Sequence, residues 1–124
     1  MTDTDFTPIL YLKQNCPFCQ KVRIALLETG QRDGIDIRDF AGGSPEEQAI
    51  CTVLEPHVAK ISFPAAKIAP GRFLNESDEI VAWVGERAGQ DPAALPVYRN
   101  YVDGPFTAMM SLWRENHELK AAKP

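Results

Sequence analysis

The sequence predicts an α/β fold with the order β-α-β-α-β-β-α. It consists of a four-stranded mixed sheet with helices on both faces, plus a short helical C-terminal extension. Three observations predict it. A short apolar run, Ile9-Leu10-Tyr11-Leu12, leads through Cys16-Pro17-Phe18-Cys19 into a helical stretch. An alternating run, Ile35-Asp36-Ile37-Arg38-Asp39, follows as a second strand. Two further short strands flank Ala69-Pro70-Gly71-Arg72 and precede a third helix. Strands joined by a helix run parallel with a right-handed crossover, and strands joined by a tight turn form a hairpin.

Each element has its own reason. Thr7 to Leu12 is short and apolar throughout, as a buried strand is. Cys16 to Thr29 is helix one. Phe18, Val22, Ala25 and Leu26 fall on one face, and Gly30 is the stop. Ser44-Pro45-Glu46-Glu47 is a capping box with proline at the first helical position, and it opens helix two, which runs to Leu54. Phe63 to Ile68 and Arg72 to Leu74 are the hairpin strands, with Pro70 and Gly71 placed for a type II turn. Ser77 to Ala88 is helix three, with Ile80, Val81 and Val84 inward and Gly89 as its stop. Gln90 to Pro96 is a linker. A helical piece from Val97 to Val102 follows, then a longer helix from Pro105 to about Lys120 capped by Asp103 or Gly104. Phe106, Met109, Met110 and Trp113 form an apolar stripe on that helix. The stripe packs on the domain or forms a homodimer contact.

Composition narrows the function. The chain has 124 residues, enough for one real core. A net charge of −4 argues against nucleic acid, whose phosphates need a basic surface. No apolar run approaches the ~20 residues that span a bilayer, so no membrane partner is expected. Met1-Thr2-Asp3-Thr4-Asp5 is acidic and polar, unlike a secretory signal. Three cysteines make no disulfide framework. Together these predict a cytoplasmic protein.

Cys16-Pro17-Phe18-Cys19 carries the chemistry. A helix N-terminus holds partial positive charge and unpaired N–H groups, which stabilise a thiolate. Cys16 is therefore the candidate nucleophile. Cys19, one turn in, is the candidate resolving thiol that attacks a disulfide formed by the first. The pair could instead be half of a zinc site. Cys51, His57 and His117 are the only other soft ligands, and their spacing is too loose, so no metal is expected. Cys51 reads as a buried apolar residue of helix two, with a regulatory thiol as the alternative. Lys21 and Arg23 read as a wet helix face.

Tyr11 to Cys19 resembles the active-site segment of glutaredoxins and the N-terminal domain of glutathione S-transferases, which share the thioredoxin fold. Ser62-Phe63-Pro64 resembles the segment of that fold whose proline is cis and whose preceding backbone pairs with the cysteine of glutathione. Asn75 to Ile80 resembles the segment that grips the γ-glutamyl end. The resemblance covers roughly residues 7 to 89, so it implies a thioredoxin-like, glutathione-binding domain over 1–89 and a linker with helical extension over 90–124. It departs from glutaredoxins at Phe18, where they mostly carry tyrosine, from both groups over Ala41 to Ile61, and in a tail too short for a transferase's second domain and extra for a glutaredoxin.

The resemblance implies glutathione as co-substrate. Lys13 would bind its glycine carboxylate and support the thiolate. Phe63 and Pro64 would present backbone to its cysteine. Ser77 would hold the γ-glutamyl carboxylate, with Glu76 or Asp78 pairing the α-amino group. The leading expectation is a glutaredoxin-like thiol–disulfide oxidoreductase acting on glutathionylated proteins or small disulfides. The alternatives are a truncated glutathione S-transferase-like domain, and a module that binds glutathione or an iron–sulfur cluster without turnover.

Overall fold

The computed structural model describes residues 6–122, so Met1–Asp5, read above as no secretory signal, lies outside the described residues. Strands β1 (Ile9–Lys13), β2 (Asp36–Phe40), β3 (Ala65–Ala69) and β4 (Arg72–Leu74) form one sheet in the order β2-β1-β3-β4. β1 is parallel to β2 and antiparallel to β3, and β3 is antiparallel to β4. β1, β2 and β3 start one or two residues later than the sequence suggests, and β4 starts at Arg72 as expected. At β3 the cause is Pro64, which has no N–H for a ladder. Gly71, at φ 73°, takes the left-handed position that a type II turn requires.

Helices α1 (Pro17–Thr29) and α3 (Ser77–Ala88) cover one face and α2 (Pro45–Leu54) is on the other. Successive strand residues point to opposite faces. Leu10 and Leu12 therefore pack with Val22, Leu26, Ile80 and Val84. Tyr11, between them, packs with Phe40, Ile50 and Leu54. Truncating a fully buried leucine such as Leu12 to alanine costs about 2–5 kcal/mol. Ser44 Oγ accepts the Glu47 N–H at 3.2 Å, as a capping box requires. The Glu47 carboxylate reaches back to Gly43 N–H (2.7 Å) instead of Ser44 N–H, which is already bonded to Ala41 O.

The C-terminal part corrects the sequence reading. Gln90 to Pro96 is not a free linker: it is largely exposed but forms a 3-10 turn at Pro92–Ala94 and is anchored by Leu95, buried in the main core. Gly85 permits the approach: a Cβ there would lie 2.7 Å from Gln90 O and Pro92 Cδ. Helix α4 (Pro96–Tyr101) buries Tyr98 in the same core and rests on α1. The Glu28 carboxylate of α1 accepts the N–H groups of Val97 (3.0 Å) and Tyr98 (2.7 Å) at the start of α4. Asp103 and Gly104 cap nothing. The chain stays helical through a five-residue π turn, Val102–Phe106, into α5 (Thr107–Ala122), and Asp103 pairs with Arg99 one turn back. Of the apolar stripe, Phe106 meets Phe18 edge-on at 5.3 Å. Trp113 is 63% exposed, and α5 buries no residue. Among the described residues no helix is long and apolar enough to cross a membrane.

Candidate functional site

Asn15, in the left-handed region at φ 58°, turns the chain from β1 into α1. Asparagine tolerates that conformation better than most residues. The turn sets Cys16 in the N-cap position of α1, with Pro17 following as the first helical residue. Cys16 Sγ accepts the Cys19 N–H at 3.3 Å. Its pKa is lowered from 9.0 to about 6. The largest cause is the hydrogen bond from the Cys19 thiol. Burial opposes it, and the N–H groups of Cys19 and Phe18 and the charge of Arg23 assist. Cys19 is fully buried and accepts the Lys13 N–H at 3.3 Å. Its pKa is pushed far up, because its proton is held by the Cys16 sulfur and the site is desolvated. The two thiols thus divide into one that ionises and one that keeps its proton.

A cleft of about 410 Å³ opens beyond Phe63, the neighbour of Cys16; Cys16 itself lines a separate hollow on its outer side. Phe18 of α1, Phe63 and Pro64 before β3, and Glu76, Ser77 and Asp78 at the start of α3 line the cleft. The Phe63–Pro64 peptide is cis. The Phe63 carbonyl oxygen lies 3.9 Å from Cys16 Sγ. Glu76 is the N-cap residue of α3 but makes no side-chain cap bond. Ser77, the first helical residue, leaves its N–H toward the opening of the helix. Five of the six residues expected to bind the ligand therefore share one cleft.

Lys13 is the sixth, and it is absent from the cleft lining. Its ammonium pairs with Glu47 Oε2 of α2 at 3.2 Å. The cation that acts on Cys16 is Arg23, which donates to Lys13 O (3.3 Å) and Asp39 Oδ1 (2.6 Å). Reading Arg23 and Lys21 as a wet helix face is therefore corrected. Lys21 is only 5% exposed and its Nζ donates to Asp78 Oδ1 at 2.8 Å.

Two positioning residues lie inside segments that the sequence singled out without giving them a role. Ser62 Oγ donates to Asn75 O (3.0 Å), and Asn75 Nδ2 donates to Lys60 O (2.6 Å) and Ser62 Oγ (3.1 Å). This clamp ties Phe63 and Pro64 to the start of α3. A second hollow on the outer side of Cys16 is bordered by Asn15, Gln20, Arg23, Tyr101 and Met109. The Tyr101 hydroxyl donates to Pro17 O at 2.9 Å, and its pKa is raised by burial first and by the Cys16 charge second. Cys51 is half-buried on α2, and His57 stacks on Phe73 at 4.3 Å. Among the described residues no three His, Cys, Asp or Glu side chains converge as a metal site would need.

The family model of the glutathione S-transferase N-terminal domain matches residues 10–92. No curated protein matches the chain. Among solved structures it is similar to a possible glutathione S-transferase from Rhodopseudomonas palustris. The identity there is 22%, the TM-score 0.50, and the match covers 65% of this chain and 40% of that one. It is also similar to glutathione transferase Omega 2C from Trametes versicolor, at 24% identity and TM-score 0.46, covering 73% of this chain and 39% of that one. A glutathione S-transferase from the Antarctic clam Laternula elliptica matches at 20% identity and TM-score 0.45, covering 68% and 36%. The chain thus spans well under two thirds of each of these structures. The fold is thioredoxin-like.

Proposed function

Because this chain belongs to the family of glutathione S-transferase N-terminal domains, we propose that it is a glutathione-dependent thiol–disulfide oxidoreductase of glutaredoxin type. The observation that carries this reading is the asymmetry of the two thiols: Cys16 ionises near pH 6, and Cys19 is buried beside it as a proton donor. In the first step the Cys16 thiolate attacks the glutathionyl sulfur of a mixed disulfide. A Cys16–glutathione disulfide forms, the original S–S bond breaks, and the substrate thiolate leaves and takes a proton from water. In the second step a glutathione thiolate attacks the glutathionyl sulfur held on Cys16. Glutathione disulfide leaves and the Cys16 thiolate returns. The net reaction consumes one free glutathione: the substrate leaves as a thiol, and its glutathionyl group leaves with the incoming glutathione as glutathione disulfide.

Cys19 is the internal alternative to that second glutathione. It would attack Cys16 sulfur, release glutathione, and leave a Cys16–Cys19 disulfide. Once Cys16 is in a disulfide, its charge no longer holds the Cys19 proton, but the burial remains. A desolvated thiol is a slow nucleophile at neutral pH. External glutathione is therefore the main route, and Cys19 chiefly tunes Cys16. In the cleft, Phe63 and Pro64 offer backbone to the tripeptide's cysteine. Ser77 and the α3 N–H groups receive its γ-glutamyl carboxylate, and Glu76 faces its ammonium. Lys13 would have to exchange Glu47 for the glycine carboxylate.

The test is reduction of a glutathione mixed disulfide by purified protein with glutathione, glutathione reductase and NADPH. Turnover supports the reading, and its absence with intact Cys16 rejects it. A second reading, a truncated transferase that uses Cys16 for conjugation, dehalogenation or peroxide reduction, is favoured by the outer hollow, where Tyr101 and Met109 offer a wall to another substrate. Conjugation of an electrophile by the same preparation, without disulfide reduction, would select it.

A further inference from the structure

Lys21 is the buried charged residue among the described residues, and nothing in the thiol chemistry uses it. It projects from α1 into the cleft between three elements. Asp78 of α3 takes one of its hydrogen bonds, at 2.8 Å. Its other close neighbours are aromatic: the Phe106 ring centroid lies 4.6 Å from Nζ and the Phe18 centroid 5.8 Å. An ammonium has three donors. Asp78 occupies one, and its own side chain is 86% exposed, so it is a solvated partner for a desolvated charge. Burying a cation with a single solvated counter-ion is costly unless a further anion completes its shell. Among the described residues Lys21 is also the sole basic side chain lining the cleft, against the two carboxylates of Glu76 and Asp78.

We infer that Lys21 is a specificity-determining residue that binds the α-carboxylate at the γ-glutamyl end of the ligand, alongside the N-terminus of α3. The inference rests on the glutathione reading above and deepens it. Lys21 and Asp78 form a fixed pair of opposite charges. A ligand end that carries a carboxylate and an ammonium on one carbon presents the matching pair. The carboxylate goes to Lys21 and the ammonium to Asp78 and Glu76. The cleft then selects a zwitterion and discriminates against ligands with only one of the two charges. Phe106 holds the ammonium in place by a cation–π contact, so the helical extension takes part in recognition through Lys21.

Three ligands separate this role from a scaffold role: glutathione, glutaryl-Cys-Gly, which lacks the amine, and 4-aminobutyryl-Cys-Gly, which lacks the carboxylate. Calorimetry on Lys21→Met should show glutathione and glutaryl-Cys-Gly weakened at least tenfold. Binding of 4-aminobutyryl-Cys-Gly should be unchanged or tighter, because Asp78 is freed. Lys21→Arg should restore most of the loss. Equal weakening of all three ligands, or no weakening of glutathione, overturns the inference. Asp78→Asn supplies an independent test, since its exposed side chain supports no core. It should tighten glutaryl-Cys-Gly at least threefold, and a loss or no change overturns the inference. If the wild-type protein binds none of the three, the glutathione reading itself fails and takes this one with it.

Discussion

The N-termini of α1 and α3 border the same cleft and are finished in opposite ways. α1 closes on itself: Cys16 Sγ takes the Cys19 N–H, and Pro17 removes one donor outright. α2 does the same with Ser44 and Pro45. α4 has Pro96, and its next two N–H groups go to Glu28. α3 has neither a proline at its start nor a side-chain cap. A helix end left open costs stability unless water or a ligand fills it. The first-turn N–H groups of α1 thus help hold the Cys16 thiolate, and on the proposed reading the open end of α3 is where a ligand carboxylate docks. That division of labour is what the proposed chemistry needs.

The largest expected effect breaks the α1 side. Cys16→Ser should reduce mixed-disulfide reduction to background, because Cys19, the other thiol at that helix end, is fully buried and keeps its proton. Cys19→Ser should keep a large part of the activity, since external glutathione replaces the resolving thiol. Steady-state assays of both variants check this, and equal loss in the two would mean an obligatory dithiol route.

The second effect is that of pH. Folding lowers the Cys16 pKa from 9.0 to about 6. The thiolate, and the rate of alkylation by iodoacetamide, should be at plateau near neutral pH and fall about tenfold per unit below 6. The linked stability has the same sign. A depressed pKa adds stability in full above about 9, and that contribution is lost as pH falls to about 6. Cys19→Ala removes the largest cause of the shift, so the alkylation midpoint should move up. A midpoint that stays at 6 would show that the backbone N–H groups and Arg23 stabilise the thiolate without the Cys19 thiol.

How far the sequence reveals this depends on how local each feature is. The strands, α1 to α3, and the glycine stops were legible because apolar period, proline and glycine act over a few residues. Leu10, Leu12, Val22 and Ile80 are in the core as their spacing requires. Cys16 at a helix start was legible for the same reason, whereas the cis Phe63–Pro64 peptide followed only from the resemblance, the local pattern having placed Phe63 in a strand. Lys21 was not legible. Its burial needs Phe106, 85 positions along the chain, and a charged residue in a helix reads as wet until its neighbour is known. Arg23 likewise depends on Asp39 in another element. Gln90 to Pro96 has a linker's composition, and only Gly85 in α3, by leaving room for Pro92, turns it into anchored structure. The Asp103 cap failed because a π turn keeps the backbone helical where proline normally ends it.

On the α3 side, the sharpest change is Ser77→Pro. Proline suits the first helical position, and Glu76 before it is already extended at φ −108° and ψ 126°. The variant copies the start of α1 and α2, so the fold should be kept. It removes one N–H and one hydroxyl from the proposed carboxylate site. Losing a hydrogen bond to a charged group costs about 1.5–3 kcal/mol, so glutathione should bind roughly 10- to 150-fold more weakly. Unchanged affinity in calorimetry, with an unchanged melting temperature, would remove Ser77 from the site.

The smallest effect comes from closing α3 without removing a donor. Glu76 stands at the N-cap with extended backbone but its side chain does not reach back to the helix N–H groups. Aspartate has the length to do so and keeps the charge that faces the ligand ammonium. Glu76→Asp should therefore stabilise the free protein by about 0.5–1 kcal/mol, within the range of a good cap. A thermal melt should rise by roughly 2–6 °C for a domain of this size. The new carboxylate would then compete with the ligand for the same N–H groups, so glutathione affinity should fall as stability rises. This opposition is the diagnostic result, because a residue that only supports the fold would move both in the same direction. If Glu76→Asp raises neither the melting temperature nor the dissociation constant, the end of α3 is already satisfied by water, and the contrast with α1 loses its functional meaning.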